Sequence, residues 1–264
     1  MRRMSSILLT GALLTLAVCP AHHAAIAADA RPVDPFAAIV LRGMSSKLAS
    51  AGCYDLVAQT TLDEYNRLGQ RIQYENQVEV AYSRPDRMFV KARGDLHNLY
   101  LWYDGRTVTK VETNDNTFAT LSIKGSVERM MDTLAERFDA TFPLADFVVN
   151  DIYANFVGQV TKGRYEGIRV VDGQRCHHLV FSQEMIDWQI WIVAGQELTP
   201  AKFVITYKTL PGHPQFTARF RSWRFDPPRP PGLFVPSIPD RCSRTDFAIQ
   251  SVTGSHDQRS SLSR

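Results

Sequence analysis

The sequence predicts an α+β domain, one long antiparallel sheet carrying a few helices. Two observations lead there. Apolar residues recur with a period of two through most of the chain between Tyr54 and Phe225, the spacing of half-buried strands. The links between these runs are mostly short and rich in Gly, Asn, Asp and Pro, which makes successive strands antiparallel neighbours.

The elements follow in order. Asp34-Pro35 caps a helix in which Phe36, Ile39, Val40, Met44 and Leu48 recur at helical spacing up to Gly52. Six strands are then expected: Tyr54–Tyr65, Arg71–Tyr82, Arg87–Arg93, Leu99–Tyr103, Thr107–Glu112 and Thr117–Ile123. A helical insert comes next. Ser126 caps a helix to Phe138, with Val127, Met130, Met131, Leu134 and Phe138 on one apolar stripe. Pro143–Asp146 starts a short helix, and 151–157 adds one or two turns. Strands resume at Gln159–Tyr165, Ile168–Val171, Cys176–Ser182, Trp188–Val193, Ala201–Thr209 and Gln215–Phe225. Pro227-Pro228 and Pro230-Pro231 exclude a central strand and lead to an edge segment, Leu233–Val235.

The start of the chain reads as a targeting signal. Arg2 and Arg3 precede the apolar run Ile7–Val18, which is short for a bilayer span, and Ala25-Ile26-Ala27 has the small-x-small form that a signal peptidase cleaves. The expected organisation is residues 1–27 as signal peptide, 28–249 as a single domain and 250–264 as a disordered polar tail. Cleavage near Ala27 implies the periplasm. Lipid anchoring at Cys19 is the alternative, and Val18 and Pro20 fit it poorly. No later run has the length and apolarity of a transmembrane segment.

The 264 residues carry 30 Lys and Arg against 27 Asp and Glu. Without Arg2 and Arg3 the net charge is about +1, which calls for neither nucleic acid nor an anionic membrane as partner. Cys53, Cys176 and Cys242 remain in the mature chain. An oxidising compartment allows one bridge among them, with the pairing left open.

The chemically suggestive stretch is Cys176-His177-His178, with Asp187 downstream. On a strand Cys176, His178 and Val180 share one face, while His177, Leu179 and Phe181 share the other, so the trio does not converge on one ion. No metal site, cofactor or catalytic residue is expected. GxSxG, HExxH, P-loop and GxGxxG patterns do not occur. Tyr100, Trp102 and Tyr103 could stack bases or sugars, but on a half-buried sheet such rings usually belong to the core.

Several motifs fall in a familiar order. They are Arg84-Pro85-Asp86-Arg87, Gly94-Asp95, Tyr103-Asp104-Gly105, Pro143-Leu144-Ala145-Asp146, Gly163-Arg164-Tyr165-Glu166-Gly167, the Asp172-Gly173-Gln174-Arg175-Cys176-His177-His178-Leu179 run, Asp187-Trp188 and Lys202-Phe203. From Pro35 to Phe247 the chain resembles a bacterial family of predicted periplasmic proteins of unknown function, grouped with the LolA/LolB lipoprotein-carrier fold. The resemblance implies a strongly curved, half-open antiparallel barrel with helices on its concave side.

A few helices cannot cover the whole inner face of such a sheet; what they leave is either an apolar cavity suited to a ligand or space that the same side chains fill solid. The candidate cavity and lid residues are Met130, Met131, Leu134, Leu144, Tyr100, Trp102, Trp188 and Trp191. Three functions stand open. One is a non-catalytic periplasmic carrier or binding protein for a hydrophobic small molecule, lipid or acyl chain. A second is a module that contacts another cell-envelope protein. The third is a hydrolase using His177 or His178 with Asp187.

Overall fold

The computed structural model describes residues 32–95 and 98–248. The expected signal peptide, its cleavage point near Ala27, Cys19 and the tail from 250 lie outside those residues.

Helix α1 (Pro35–Ser50) starts where Asp34 accepts from the Phe36 and Ala37 amides at 2.7 and 3.4 Å. Strands β1 (Cys53–Tyr65), β2 (Arg71–Ser83), β3 (Arg87–Gly94), β4 (Asn98–Tyr103), β5 (Thr107–Glu112) and β6 (Thr117–Ser122) form a meander. Helix α2 (Val127–Phe138), a 3-10 turn (Ala145–Phe147) and helix α3 (Ile152–Val157) make the insert. A second meander follows: β7 (Lys162–Val171), β8 (Gln174–Ser182), β9 (Ile186–Val193), β10 (Pro200–Tyr207) and β11 (Gln215–Phe225).

The two meanders join because β11 pairs antiparallel with β1, giving a 12-stranded sheet completed by β12 (Ser243–Arg244). The order is β12-β6-β5-β4-β3-β2-β1-β11-β10-β9-β8-β7, so the sheet is open at β12 and β7. With strands about 4.8 Å apart, a flat sheet of this size would be about 50 Å wide. One core cluster nonetheless takes residues from β1–β5, β8–β11 and all three helices. The sheet is therefore strongly curved around the helices.

Topology also explains the helical cover. The chain leaves the first meander at β6 and re-enters the second at β7, near opposite ends of the sheet. The insert between them must cross the concave face. α2 obeys its apolar stripe, burying Val127, Met130, Met131 and Leu134, and Ser126 caps it by accepting from the Arg129 amide at 3.3 Å.

Three expectations are corrected. Phe36 and Ile39 are exposed, and α1 buries Ala37, Val40, Leu41, Met44, Ser45 and Leu48 instead. Ala37 is fully buried, while Phe36 packs edge-on against Tyr165 with ring centroids 4.6 Å apart. The two strands expected around Tyr165 and Ile168 are one, β7. A bulge at Gly167 (φ 92°) takes up the irregularity, and Gln159–Thr161 precede the strand. Leu233–Val235 is a succession of turns, because the Leu233 and Val235 amides donate back to the Pro230 and Gly232 carbonyls. The added edge strand is β12, parallel to β6.

Candidate functional site

Strand alternation puts Leu56, Thr60 and Leu62 of β1, Asn76, Val78 and Val80 of β2, Met88, Val90 and Ala92 of β3, and Phe216 of β11 on one concave surface. Val78, for example, lies opposite Ala58 on β1 and Ala92 on β3. Met131 of α2 and the segment 141–148 arch over this surface. Between them lies a groove of ≈ 170 Å³. Its polar contributors are few. Thr60 satisfies its hydroxyl by donating to the Asn76 carbonyl at 3.3 Å.

The covering segment is tied down at one end. Arg84 donates to the Val149 carbonyl at 3.1 Å, to Asn150 Oδ1 at 3.4 Å and, at the C-terminus of α1, to the Leu48 carbonyl at 3.4 Å. Glu128 of α2 accepts from the Asn150 amide and side chain, both at 2.6 Å. The Tyr54 hydroxyl donates to the Phe147 carbonyl, and burial holds that phenol protonated far above its usual range. Among the described residues, no hydrogen bond ties Thr141–Leu144 to a strand. Apolar contact alone holds that end over the groove.

The motifs prove to be turn and anchor chemistry. Asp104 accepts from the Arg106 and Thr107 amides at 2.9 and 2.8 Å, which frees Gly105 to adopt φ 86°. A Cβ at Gly105 would stand 2.6 Å from the Asp86 carboxylate, so Arg84-Pro85-Asp86-Arg87 and Tyr103-Asp104-Gly105 are packed against each other. Asp172 and Gly173, at φ 48° and 82°, make the tight turn between β7 and β8.

A model of the family described as predicted periplasmic protein (DUF2092) matches residues 37–248. The chain belongs to this family. The comparison with curated proteins found no match. Among solved structures, lipoprotein LppX of Mycobacterium tuberculosis is similar at 12% identity over 74% of this chain and 98% of that one, with a TM-score of 0.43. An uncharacterized conserved protein of Thermus thermophilus is similar at 12% identity over 80% and 99%, TM-score 0.46. A LolA superfamily protein of Nitrosomonas europaea is similar at 8% identity over 74% and 97%, TM-score 0.38. At such identities and scores these are likenesses of chain outline and carry no argument about activity.

Within this DUF2092 protein the expected site residues divide. Met131 and Leu144 line the groove. Met130 and Leu134 are fully buried in the core on the same helix and do not reach it. Trp188 is also on the concave side, but it stacks on Phe181 at 4.1 Å and lines a separate pocket beside α3. Tyr100, Trp102 and Trp191 lie on the opposite face, away from the groove. Tyr100 and Trp102 pair with Lys91 and Phe89, whose neighbours Val90 and Ala92 point inward. Period-two alternation therefore carries these rings outward, where Tyr100 and Trp102 stack at 5.6 Å.

The histidines separate as alternation requires. His177, on the concave side, has Nδ1 3.0 Å from the Tyr165 hydroxyl. His178, on the convex side, stacks flat on Trp191 at 4.1 Å, with Nε2 3.0 Å from Gln189 Oε1. Burial lowers the pKa of both imidazoles. Asp187 engages the Ser182 hydroxyl and Lys208, the latter at 3.1 Å. Cys176 is buried in a small convex cluster with Val171 and Ala201. The described cysteines, Cys53, Cys176 and Cys242, are unbridged. Among the described residues no three His, Cys, Asp or Glu side chains are grouped to hold a metal ion, and no helix is long and apolar enough to cross a membrane.

The groove floor escaped the sequence reading. Its only signal was alternation in β1–β3, which marks an inward face without saying whether helices cover it. The anchors Arg84, Glu128 and Asn150 carried no signal of their roles.

Proposed function

We propose that this protein is a periplasmic binding or carrier protein that holds a hydrophobic molecule, a lipid or acyl chain, in the groove without reacting with it. The observation that carries this reading is the apolar concave surface of β1–β3, arched over by 141–148 and left unfilled. The family description and the signal-like leader support the compartment.

The volume sets a condition. A cavity of about 150 Å³ accommodates a benzene-sized molecule, so the groove as it stands takes about six carbons. Burying six methylenes is worth about 5 kcal/mol, which corresponds to weak binding, with Kd in the range of about 0.1–1 mM. A longer chain requires the Thr141–Leu144 end of the cover to lift, and among the described residues that end has no hydrogen bond to the sheet. Adaptable Met131 and Met88 suit an occupant of variable shape.

Native mass spectrometry of the mature protein purified from a periplasmic extract, followed by organic extraction, tests this. The expected result is a lipid-like species that leaves with the solvent. Protein that carries nothing and has no affinity for a fluorescent fatty acid would end the proposal.

A further inference from the structure

We propose that the open edge of β7 takes up an extended, acidic segment of a partner protein as a further strand of the sheet. β7 ends the sheet on its side, and its ladder runs to β8. Its outer side is used at the start, where the Asp34 amide donates to the Gly163 carbonyl at 2.9 Å and the Gly163 amide to the Pro32 carbonyl at 2.7 Å. Helix α1 then carries the chain off the edge. Further along, the Arg175 carbonyl of β8 is turned away from β7 and accepts from the Ala194 amide at 2.9 Å. Val170 and Arg175 are therefore a non-bonded pair of the β7–β8 ladder. The Val170 amide and carbonyl point out of the edge, and among the described residues no hydrogen bond reaches them.

The side chains set the chemistry of the occupant. Val170 faces the concave side, as does His177, against which Phe36 packs at 5.9 Å. Val170 is 68% exposed, Phe36 46% and Ile39, one turn along α1, 65%, so apolar surface borders the edge. β7 carries Lys162, Arg164 and Arg169 against Glu166, and Arg175 adds a base across the ladder. All four bases are exposed, and Glu166 is already beside Arg164 at 3.7 Å. An acidic strand with apolar residues at alternate positions meets both features. A second copy of this chain does not, because β7 against β7 sets like charges side by side. Nor does the sequence after Ala248, which has Arg259 and Arg264 against Asp257. The bulge at Gly167 and the bases bar the edge from pairing with its like, and the bases draw in a strand of opposite charge. The edge lies on other strands than the groove and does not rest on the groove being occupied.

Fluorescence anisotropy of the mature protein with two labelled, end-blocked octapeptides tests the proposal. One alternates Glu with Val, the other Lys with Val. The Glu peptide should bind, and the Lys peptide at least about tenfold more weakly. Val170→Pro removes the outward amide and none of the bonds to β8. With its fold checked by circular dichroism, it should weaken the Glu peptide at least about tenfold, and more than Val170→Ala, which keeps the amide. Arg164→Glu, at an exposed side chain, should weaken it as well. The proposal is overturned by a Glu peptide that does not bind, by equal affinity for the two peptides, or by binding unmoved in Arg164→Glu. Folded Val170→Pro that binds as tightly as Val170→Ala also overturns it. So does a homodimer in sedimentation that Val170→Pro dissociates, which would give the edge to a second copy.

Discussion

Arg84 donates to the carbonyl of Val149 at 3.1 Å, and through this contact a motif at the β2–β3 turn holds one end of the segment that covers the groove. The same guanidinium reaches the Ala51 and Leu48 carbonyls at the end of α1, at 3.2 and 3.4 Å. One side chain thus joins a helix terminus, a strand turn and the cover.

Arg84→Ala should therefore lower stability by about 2–4 kcal/mol, because several carbonyls lose a charged donor at once. Arg84→Lys should recover little of it, since an ammonium cannot reproduce the planar fork. Thermal unfolding of the three proteins measures both effects. A lysine variant as stable as the parent would show that charge alone matters there.

Val78→Phe places a ring in the groove from its floor. Overpacking should cost about 1–3 kcal/mol, leaving a folded protein. Affinity for a fluorescent fatty acid should fall at least about tenfold, as the ring takes the volume of the ligand. Unchanged affinity would locate the hydrophobic ligand elsewhere.

Asp146 gives a pH signature. Its carboxyl titrates at about 6 when folded, above its ordinary value of 3.8, chiefly through burial. The folded state then binds more protons than the unfolded chain between these values, so stability falls as pH rises through that window. Asp146→Asn removes the penalty and keeps an oxygen for Asn155. The variant should be more stable by about 1–2 kcal/mol at pH 7.5, and the difference should vanish near pH 4. Melting curves across pH 4–8 compare the two, and parallel curves would contradict the assignment.

His178→Ala should lose the stack on Trp191, costing about 1 kcal/mol, without altering fatty-acid binding. His177→Ala should lose its contact with Tyr165 and likewise leave binding unchanged. If either variant abolished a turnover of an ester or amide substrate while remaining folded, the hydrolase reading would displace the carrier.

Much of the fold was legible because it depends on local pattern. The boundaries of β5, α2 and β11 follow from period, caps and turns, as at Thr107–Glu112, Ser126 before Val127, and Gln215–Phe225. The two faces of Cys176–Ser182 follow from alternation. The site was less legible. Met131 and Leu144 border the groove, whereas Tyr100, Trp102 and Trp191 stand on the outer face. A strand's period shows that two faces exist, and nothing in the strand itself names the inner one.

Alone, the sequence determined the strands, the turns that keep them antiparallel, the apolar stripe of α2 and the parting of His177 from His178. Each rests on residues within a few positions of one another. Tertiary structure decided that β1 pairs with β11, that the insert crosses the concave face, and that Arg84, Glu128 and Asn150 meet at the end of the cover. Those partners are tens of residues apart, and their meeting is set by how the whole sheet bends and which surfaces are left to bury.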